Sequence, residues 1–142
     1  MYRIWLRGAL IAVAGLALLP QTSLAKDFCI HFGQASIVSV ARGFTVPKKG
    51  TCKPWTGFIG GVAMENAPTV GTACTSSDGS HLSITYTGSI PTAGGIVFID
   101  SITLSLPDLT GANTETNISQ NAVTTGAVSQ VTGAACKNEA IP

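Results

Sequence analysis

The stretch LSITYT, residues 82–87, decides the fold class, because apolar and hydroxyl side chains alternate along it without a break. Alternation with a period of two places Leu82, Ile84 and Tyr86 on one face of a β-strand and the serine and threonines on the other. The triplet Asp78–Ser80 just before it is typical of a turn. We therefore predict a strand with one face on a core and the other in solvent.

A second run, Ile96–Leu106, is the longest in the chain. Its second half alternates Ile102 and Leu104 with hydroxyl residues, and its first half is apolar on both faces, as expected of a central strand. The segment between the two runs contains Pro91 and a Gly-Gly pair, which favour a turn. We predict that the two runs pair as an antiparallel hairpin.

Shorter runs at Phe28–Phe32 and Ile37–Val40 also have strand composition, and Trp55–Met64 is apolar but interrupted by glycines that indicate a bulge or bend. Residues 107–116 are predicted to form a loop. Residues 117–132 fit two polar edge strands turning at Thr125-Gly126, with a helix as the alternative. The fold class is predicted to be all-β: a small disulfide-linked β-sandwich or partly open barrel of about seven short antiparallel strands.

The first 25 residues have the three-part layout of a secretory signal peptide. Arg3 and Arg7 precede the apolar run Gly8–Leu19, and Ser23 and Ala25 supply the small residues of a cleavage site. The run is too short for a transmembrane span, which needs roughly 20 apolar residues. We predict that residues 1–25 are cleaved, that residues 26–142 form one β-rich domain, and that the product is secreted or periplasmic.

The four cysteines, Cys29, Cys52, Cys74 and Cys136, all follow the predicted leader. In an oxidising compartment an even number of cysteines indicates disulfides, here two. Three pairings are open, and proximity in sequence favours Cys29 with Cys52 and Cys74 with Cys136. No two cysteines have the close spacing of a zinc site, so we expect no metal.

The charge content is low, at 11% charged residues and a net charge of +1, which argues against a nucleic-acid-binding protein. Four of the six cations after the leader fall within twelve residues: Arg42, Lys48, Lys49 and Lys53. One hypothesis is a basic patch that binds an anionic surface, such as phosphorylated glycan or lipid headgroups. The favoured interpretation is a solvated loop whose lysines discourage aggregation through strand edges.

The sequence contains none of the common catalytic or cofactor-binding motifs, and we expect no cofactor. The candidate acid–base residues are His31, His81 and Asp100. Asp100 is the acidic residue that most strongly indicates a functional site, because it interrupts an apolar strand and a buried carboxylate needs a partner. The favoured interpretation of Asp100 is nevertheless a bulge or an outward-facing position near a sheet edge. Trp55 is expected to be a core ring or a ring that covers a disulfide.

Three functional classes follow. The first is an exported, non-enzymatic β-domain that acts by binding or structural association, with an envelope or extracellular protein or an anionic surface as its partner. The second is a small secreted hydrolase that uses His81 or Asp100. The third is a pilin-like or other surface-assembly subunit, which would add strands from one chain to the next. The scarcity of histidine and acidic residues favours the first class.

Overall fold

The computed structural model describes residues 26–33, 37–61, 64–91, 95–119, 121–126 and 128–137. The predicted signal peptide, residues 1–25, lies outside the described residues. The described chain forms nine strands: β1 Phe28–Phe32, β2 Ile37–Ala41, β3 Cys52–Gly61, β4 Met64–Thr75, β5 His81–Ile90, β6 Ile96–Ser105, β7 Thr110–Ile118, β8 Val123–Thr125 and β9 Ser129–Ala135.

Eight of these strands close into an antiparallel barrel. The hydrogen-bonded order is β6-β5-β4-β3-β2-β1-β9-β7, and β7 returns to pair with β6. Strands β1 to β6 are therefore neighbours in chain order, while the pairing of β1 with β9 joins the two ends of the described chain. The all-β prediction is confirmed, and of its two architectures the barrel is the one observed.

The ninth strand, β8, lies end to end with β9 along the same neighbour. Residues 116–118 of β7 pair with β8, and residues 110–113 of β7 pair with β9. Gly126, between the two short strands, donates its N–H to the carbonyl oxygen of Glu115 at 2.8 Å. The predicted turn at Thr125-Gly126 is therefore wrong, because the two segments continue one line of pairing instead of folding back on each other.

Side chains alternate between the barrel interior and its outer surface, as the sequence pattern requires. The clearest case is β5, in which Leu82, Ile84 and Tyr86 are buried and the intervening residues are exposed. β5 and β6 pair in register from His81 with Ser105 to Ile90 with Ile96, so the predicted hairpin is confirmed. The hydrophobic core lies inside the barrel and consists of inward-facing residues of β1 to β6, together with Val131 of β9.

Strand β6 places Asp100 on the same face as the core residues Phe98 and Ile102, and Asp100 is fully buried. The favoured outward position for Asp100 is therefore wrong. The error has a simple origin: residues two apart on a strand share a face, so Asp100 must point the same way as Phe98 and Ile102.

Two further strands, β7 and β4, differ from the sequence-based expectation. The predicted loop 107–116 is largely strand, because β7 begins at Thr110 and supplies the pairing that closes the barrel. The twelve-residue strand β4 was not predicted, since its many small residues hide the alternation. The glycine-rich segment does contain an irregularity, with a register shift between Ile59 and Gly61, as predicted.

Two inward-facing glycines let large rings cross neighbouring strands. A Cβ at Gly71 would lie 2.5 Å from the Cα of Tyr86, and one at Gly88 would lie 2.2 Å from the ring of Phe98. Real side chains do not approach so closely, so only glycine fits at these positions. The Tyr86 ring consequently reaches over β4 and stacks on Trp55 at a centroid distance of 5.7 Å.

The disulfides are Cys29–Cys136 and Cys52–Cys74, so the pairing favoured by sequence proximity is wrong. Closure of the barrel decides both bonds. Cys29 on β1 lies beside the end of β9, which leads directly into Cys136, and Cys52 and Cys74 are register partners on β3 and β4. Both bonds lie at the end of the barrel where β1 begins, which we call the packed end; the opposite end is the open end.

Candidate functional site

A cavity of about 550 Å³ occupies the interior of the barrel at the open end. Its wall consists of inward-facing residues from the open-end halves of the strands, together with Gly126. The lining residues are Phe32, Ile37, Ile59, Ile90, Ile96, Phe98, Asn113, Glu115, Asn117, Gly126 and Ser129. The cavity therefore has one apolar side, supplied by β1, β2, β3, β5 and β6, and one polar side, supplied mainly by β7.

The apolar side is a consequence of strand alternation carried to the end of each strand. Ile90 and Ile96 are register partners in the β5–β6 hairpin, and both remain partly exposed. Phe98 is buried below them. These side chains would normally pack against one another in a filled barrel, and here they border a space. The wall is apolar enough to hold the body of a small organic molecule.

The polar side comes from alternate residues of β7. Asn113, Glu115 and Asn117 all line the cavity, two positions apart. The amide nitrogen of Asn117 donates to a carboxylate oxygen of Glu115 at 2.7 Å. The amide nitrogen of Asn113 donates to a carboxylate oxygen of Asp100, also at 2.7 Å. Both amides are thus oriented by neighbouring carboxylates.

A layer of buried polar side chains crosses the middle of the barrel and includes Asn113 at the cavity wall. The layer consists of Ser39, Tyr86, Asp100 and Asn113, all at most 3% exposed. Four of their polar atoms have no hydrogen-bond partner: Ser39 Oγ, Tyr86 Oη, Asp100 Oδ2 and Asn113 Oδ1. Buried polar atoms without partners are uncommon and costly, so this layer is unusual for a barrel core.

Burial of Asp100 raises the pKa of its carboxyl group to about 6. The hydrogen bond from Asn113 and the proximity of Tyr86 act in the opposite direction, and the negative charge of Glu115 adds to the increase. Burial, followed by the nearby Asp100 charge, also raises the pKa of the Tyr86 phenol. Ser39 and Asp100 lie near enough to shift the pKa of Tyr86, but neither meets hydrogen-bond geometry with its hydroxyl.

The layer connects the cavity to the packed end through one row of register partners. Trp55 pairs with Gly71, Gly71 with Tyr86, Tyr86 with Asp100, and Asp100 with Glu115. Trp55 is fully buried and donates its indole N–H to Thr69 Oγ1 at 3.3 Å. The expectation that Trp55 fills the core is therefore confirmed. Phe28 and Phe44 pack on its edge and complete the aromatic cluster of the packed end.

The structure separates the three candidate acid–base residues. His31 alternates with the inward-facing Ile30 and Phe32, which places it on the outer side of β1. His81 is exposed at the start of β5, where the hydroxyl of Ser80 lies 2.6 Å from its Nδ1. Asp100 is inside the barrel. The sheet itself lies between Asp100 and the histidines, so the three do not form one catalytic group.

Asp78 and Ser80 serve the turn that precedes β5. One carboxylate oxygen of Asp78 accepts hydrogen bonds from Ser76 Oγ at 2.5 Å, Ser80 Oγ at 2.7 Å and the Ser80 N–H at 3.0 Å. These bonds, that from Ser76 first, hold the pKa of Asp78 well below its usual range. The cluster of serine, aspartate and histidine at this turn thus has a structural explanation.

The four cations of the predicted basic patch are all exposed at the packed end. Lys53 Nζ donates to Thr45 Oγ1 at 2.6 Å, and the Arg42 guanidinium lies 5.6 Å from the centroid of the Phe58 ring. Lys48 and Lys49 occupy the turn beside residues 75–79. Binding of an anionic surface by this patch stays a prediction.

The residues of the cavity were missed in the sequence because polar alternation resembles a solvent face. The segment NTETN, residues 113–117, alternates polar residues with threonines and has no apolar face to reveal its orientation. The sequence did contain one indication of the cavity. Asp100 lies an even number of positions from Phe98, Ile102 and Leu104, and alternate residues of a strand share one face. A carboxylate on the apolar face of a strand indicates a polar interior, and the strand that follows is the first place to seek its partner.

In the described residues no group of three or more histidine, cysteine, aspartate or glutamate side chains is arranged to hold a metal ion. No helix in that part of the chain has the length and apolar character needed to cross a membrane. Comparison with known proteins found no matching family model, no matching curated protein and no matching solved structure.

Proposed function

We propose that this chain is an exported binding protein that takes one small, largely apolar molecule into the open end of its barrel. The observation that carries the proposal is the cavity of about 550 Å³ bordered by Ile37, Ile90, Ile96 and Phe98. Pockets for small molecules commonly have volumes of roughly 300–1,000 Å³, mostly apolar walls and a few placed polar groups. This cavity has all three properties.

The architecture supports the same reading. An eight-stranded barrel has an interior just wide enough to be filled by side chains or to hold one small ligand. Here the packed end is filled by the cluster around Trp55, and the open end is not. Export is supported by the two disulfides, which persist in oxidising compartments, and by the leader-like pattern of residues 1–25.

The two other classes have less support. A hydrolase using His81 or Asp100 needs a further acid–base group within reach of the same substrate, and the sheet keeps exposed His81 and buried Asp100 from serving each other in that role. Assembly by strand addition needs an open strand edge. In the described residues the barrel strands pair on both sides, and the three-residue β8 offers the remaining edge.

The test is a titration with N-phenyl-1-naphthylamine, an uncharged aromatic dye that fluoresces more strongly in apolar surroundings. Two variants on adjacent positions of β6 serve as a matched pair. Ile96 lines the cavity, whereas Val97 points outward and is 39% exposed. Ile96→Trp places a large ring in the opening, and Val97→Trp adds the same ring to the outer surface.

We expect saturable dye binding by the mature protein, a loss of affinity of about tenfold or more in Ile96→Trp, and no change in Val97→Trp. Circular dichroism checks that both variants remain folded. The proposal is wrong if the wild type does not bind the dye, or if both variants bind it as the wild type does.

A further inference from the structure

We infer that the cavity selects small organic amines, that is, molecules with a protonated primary amino group on an apolar body, and that Glu115 and Asn113 receive the ammonium group. This inference rests on the proposed binding function and adds the chemical class of the ligand. Three observations carry it: the charge of the cavity wall, the orientation of Asn113, and the positions of the cations elsewhere in the chain.

The charge of the wall is the first observation. Glu115 is the charged residue among those that line the cavity, and no described lysine, arginine or histidine lines it. The Asp100 carboxyl lies directly behind Asn113 and is bonded to it. A positive group entering this space meets one carboxylate at the wall and a second one behind it. A negative group meets the same two carboxylates with no cation to offset them.

The orientation of Asn113 is the second observation. Its amide nitrogen faces Asp100 at 2.7 Å, and the reverse orientation would set two oxygens against each other. The amide oxygen, Oδ1, therefore points elsewhere and has no partner, although Asn113 is only 3% exposed and lines the cavity. An ammonium group has three N–H donors, and it can satisfy this buried acceptor and Glu115 together.

Glu115 is positioned for the same task. The amide nitrogen of Asn117 donates to one of its carboxylate oxygens at 2.7 Å, which limits the rotamers of the half-buried side chain. The main chain of Glu115 is also fixed, because its carbonyl oxygen accepts the Gly126 N–H. A carboxylate held in place before binding loses less conformational entropy when the ligand arrives.

The positions of the cations are the third observation. The six described cations, Lys26, Arg42, Lys48, Lys49, Lys53 and Lys137, belong to chain segments at the packed end. Among the described residues, the open end therefore has no lysine or arginine to pair with a carboxylate or phosphate ligand. An uncharged ligand would fit the apolar wall, but it would leave Glu115 without a charged partner.

The experiment compares three probes with the same eight-carbon body and different head groups: octylamine, 1-octanol and octanoate. Each displaces N-phenyl-1-naphthylamine from the mature protein at neutral pH. Two variants remove one negative charge each. Glu115→Gln changes the cavity wall and keeps the size of the side chain, and Asp108→Asn changes an exposed residue at the packed end.

We expect octylamine to bind about tenfold or more tightly than 1-octanol, and octanoate to bind most weakly. In Glu115→Gln the octylamine affinity falls to near that of 1-octanol while the 1-octanol affinity stays within twofold, as the charge-assisted contact requires. Asp108→Asn leaves all three affinities unchanged.

The amine inference is overturned if octanoate binds as tightly as octylamine, or if Glu115→Gln keeps the preference for the amine. In either case dye binding by the wild type still supports a cavity for apolar molecules. Failure of the dye and of all three probes to bind would overturn the binding function itself, and the amine inference with it.

Discussion

The two ends of the barrel are built from the same strands with the same alternation, and yet one end is filled and the other is hollow. At the packed end the rings of Phe28, Phe44, Trp55 and Tyr86 contact one another, and both disulfides cross-link the strands. At the open end the inward residues are isoleucine, phenylalanine and the polar side chains of β7, and they border a cavity.

The difference shows that inward-facing residues do not by themselves make a core. At the packed end they are large enough to meet across the barrel, and glycines such as Gly71 let the rings overlap. At the open end they are too small or too polar to close the space. The packed end should therefore hold most of the stability, and the open end should hold the binding function. The following predictions test this division.

The largest effect is expected from the disulfide that joins the ends of the described chain at the packed end. Removal of Cys29–Cys136 in a double alanine variant should lower the free energy of unfolding by about 5 kcal/mol, because the bond links residues 107 apart. Removal of Cys52–Cys74, which links residues 22 apart, should cost about 3 kcal/mol. Urea unfolding followed by tryptophan fluorescence measures both, and equal costs would contradict the prediction.

A comparable effect is expected from Trp55. The change Trp55→Ala should cost about 3–5 kcal/mol, because it removes a fully buried ring that packs on three other rings. The matched change at the open end, Ile96→Ala, should cost only about 1 kcal/mol, since Ile96 borders the cavity and is already partly exposed. Circular dichroism in urea compares the two. Similar costs would show that the ends do not differ in stability.

A smaller effect is expected at the boundary between the ends, where Asp100 lies. Its pKa rises on folding from the ordinary 3.8 to about 6, so the folded state binds the proton more tightly than the unfolded state does. Asp100 therefore stabilises the folded state fully below about pH 4. The free energy of unfolding falls by about 2–3 kcal/mol as the pH rises through 6. Asn113, Tyr86 and Glu115 face the same carboxyl group: Asn113 and Tyr86 favour its ionised form, and the negative charge of Glu115 adds to burial in opposing it.

The variant Asp100→Asn keeps an oxygen for the Asn113 amide and has no charge to lose or gain. We expect its unfolding free energy to be nearly independent of pH between 4 and 7, and to exceed that of the wild type above pH 6. Urea midpoints measured in half-unit steps of pH test this. Parallel pH profiles for the two proteins would exclude Asp100 as the titrating group.

Much of the fold was predictable where alternation was complete. The hairpin of β5 and β6 follows from residues 82–87 and 96–106, in which apolar and hydroxyl residues take turns. Strand β4 was missed because its alanine, glycine and threonine residues differ little in polarity between the two faces. Strand β7 resembles a loop in the sequence because both of its faces are polar. The cavity was missed for the same reason, since β7 supplies its polar side.

The sequence by itself determined that the chain is β-rich, that Trp55 is a core residue and that four cysteines make two bonds. These properties depend on composition and on the spacing of residues that are near neighbours in the sequence, and both can be recognised within a single strand. The tertiary structure alone decided which cysteines pair, that β7 closes the barrel against β6, and that a cavity remains at one end. Those outcomes depend on which distant strands become neighbours and on how far inward side chains reach across the barrel, and neither quantity is encoded in a local pattern.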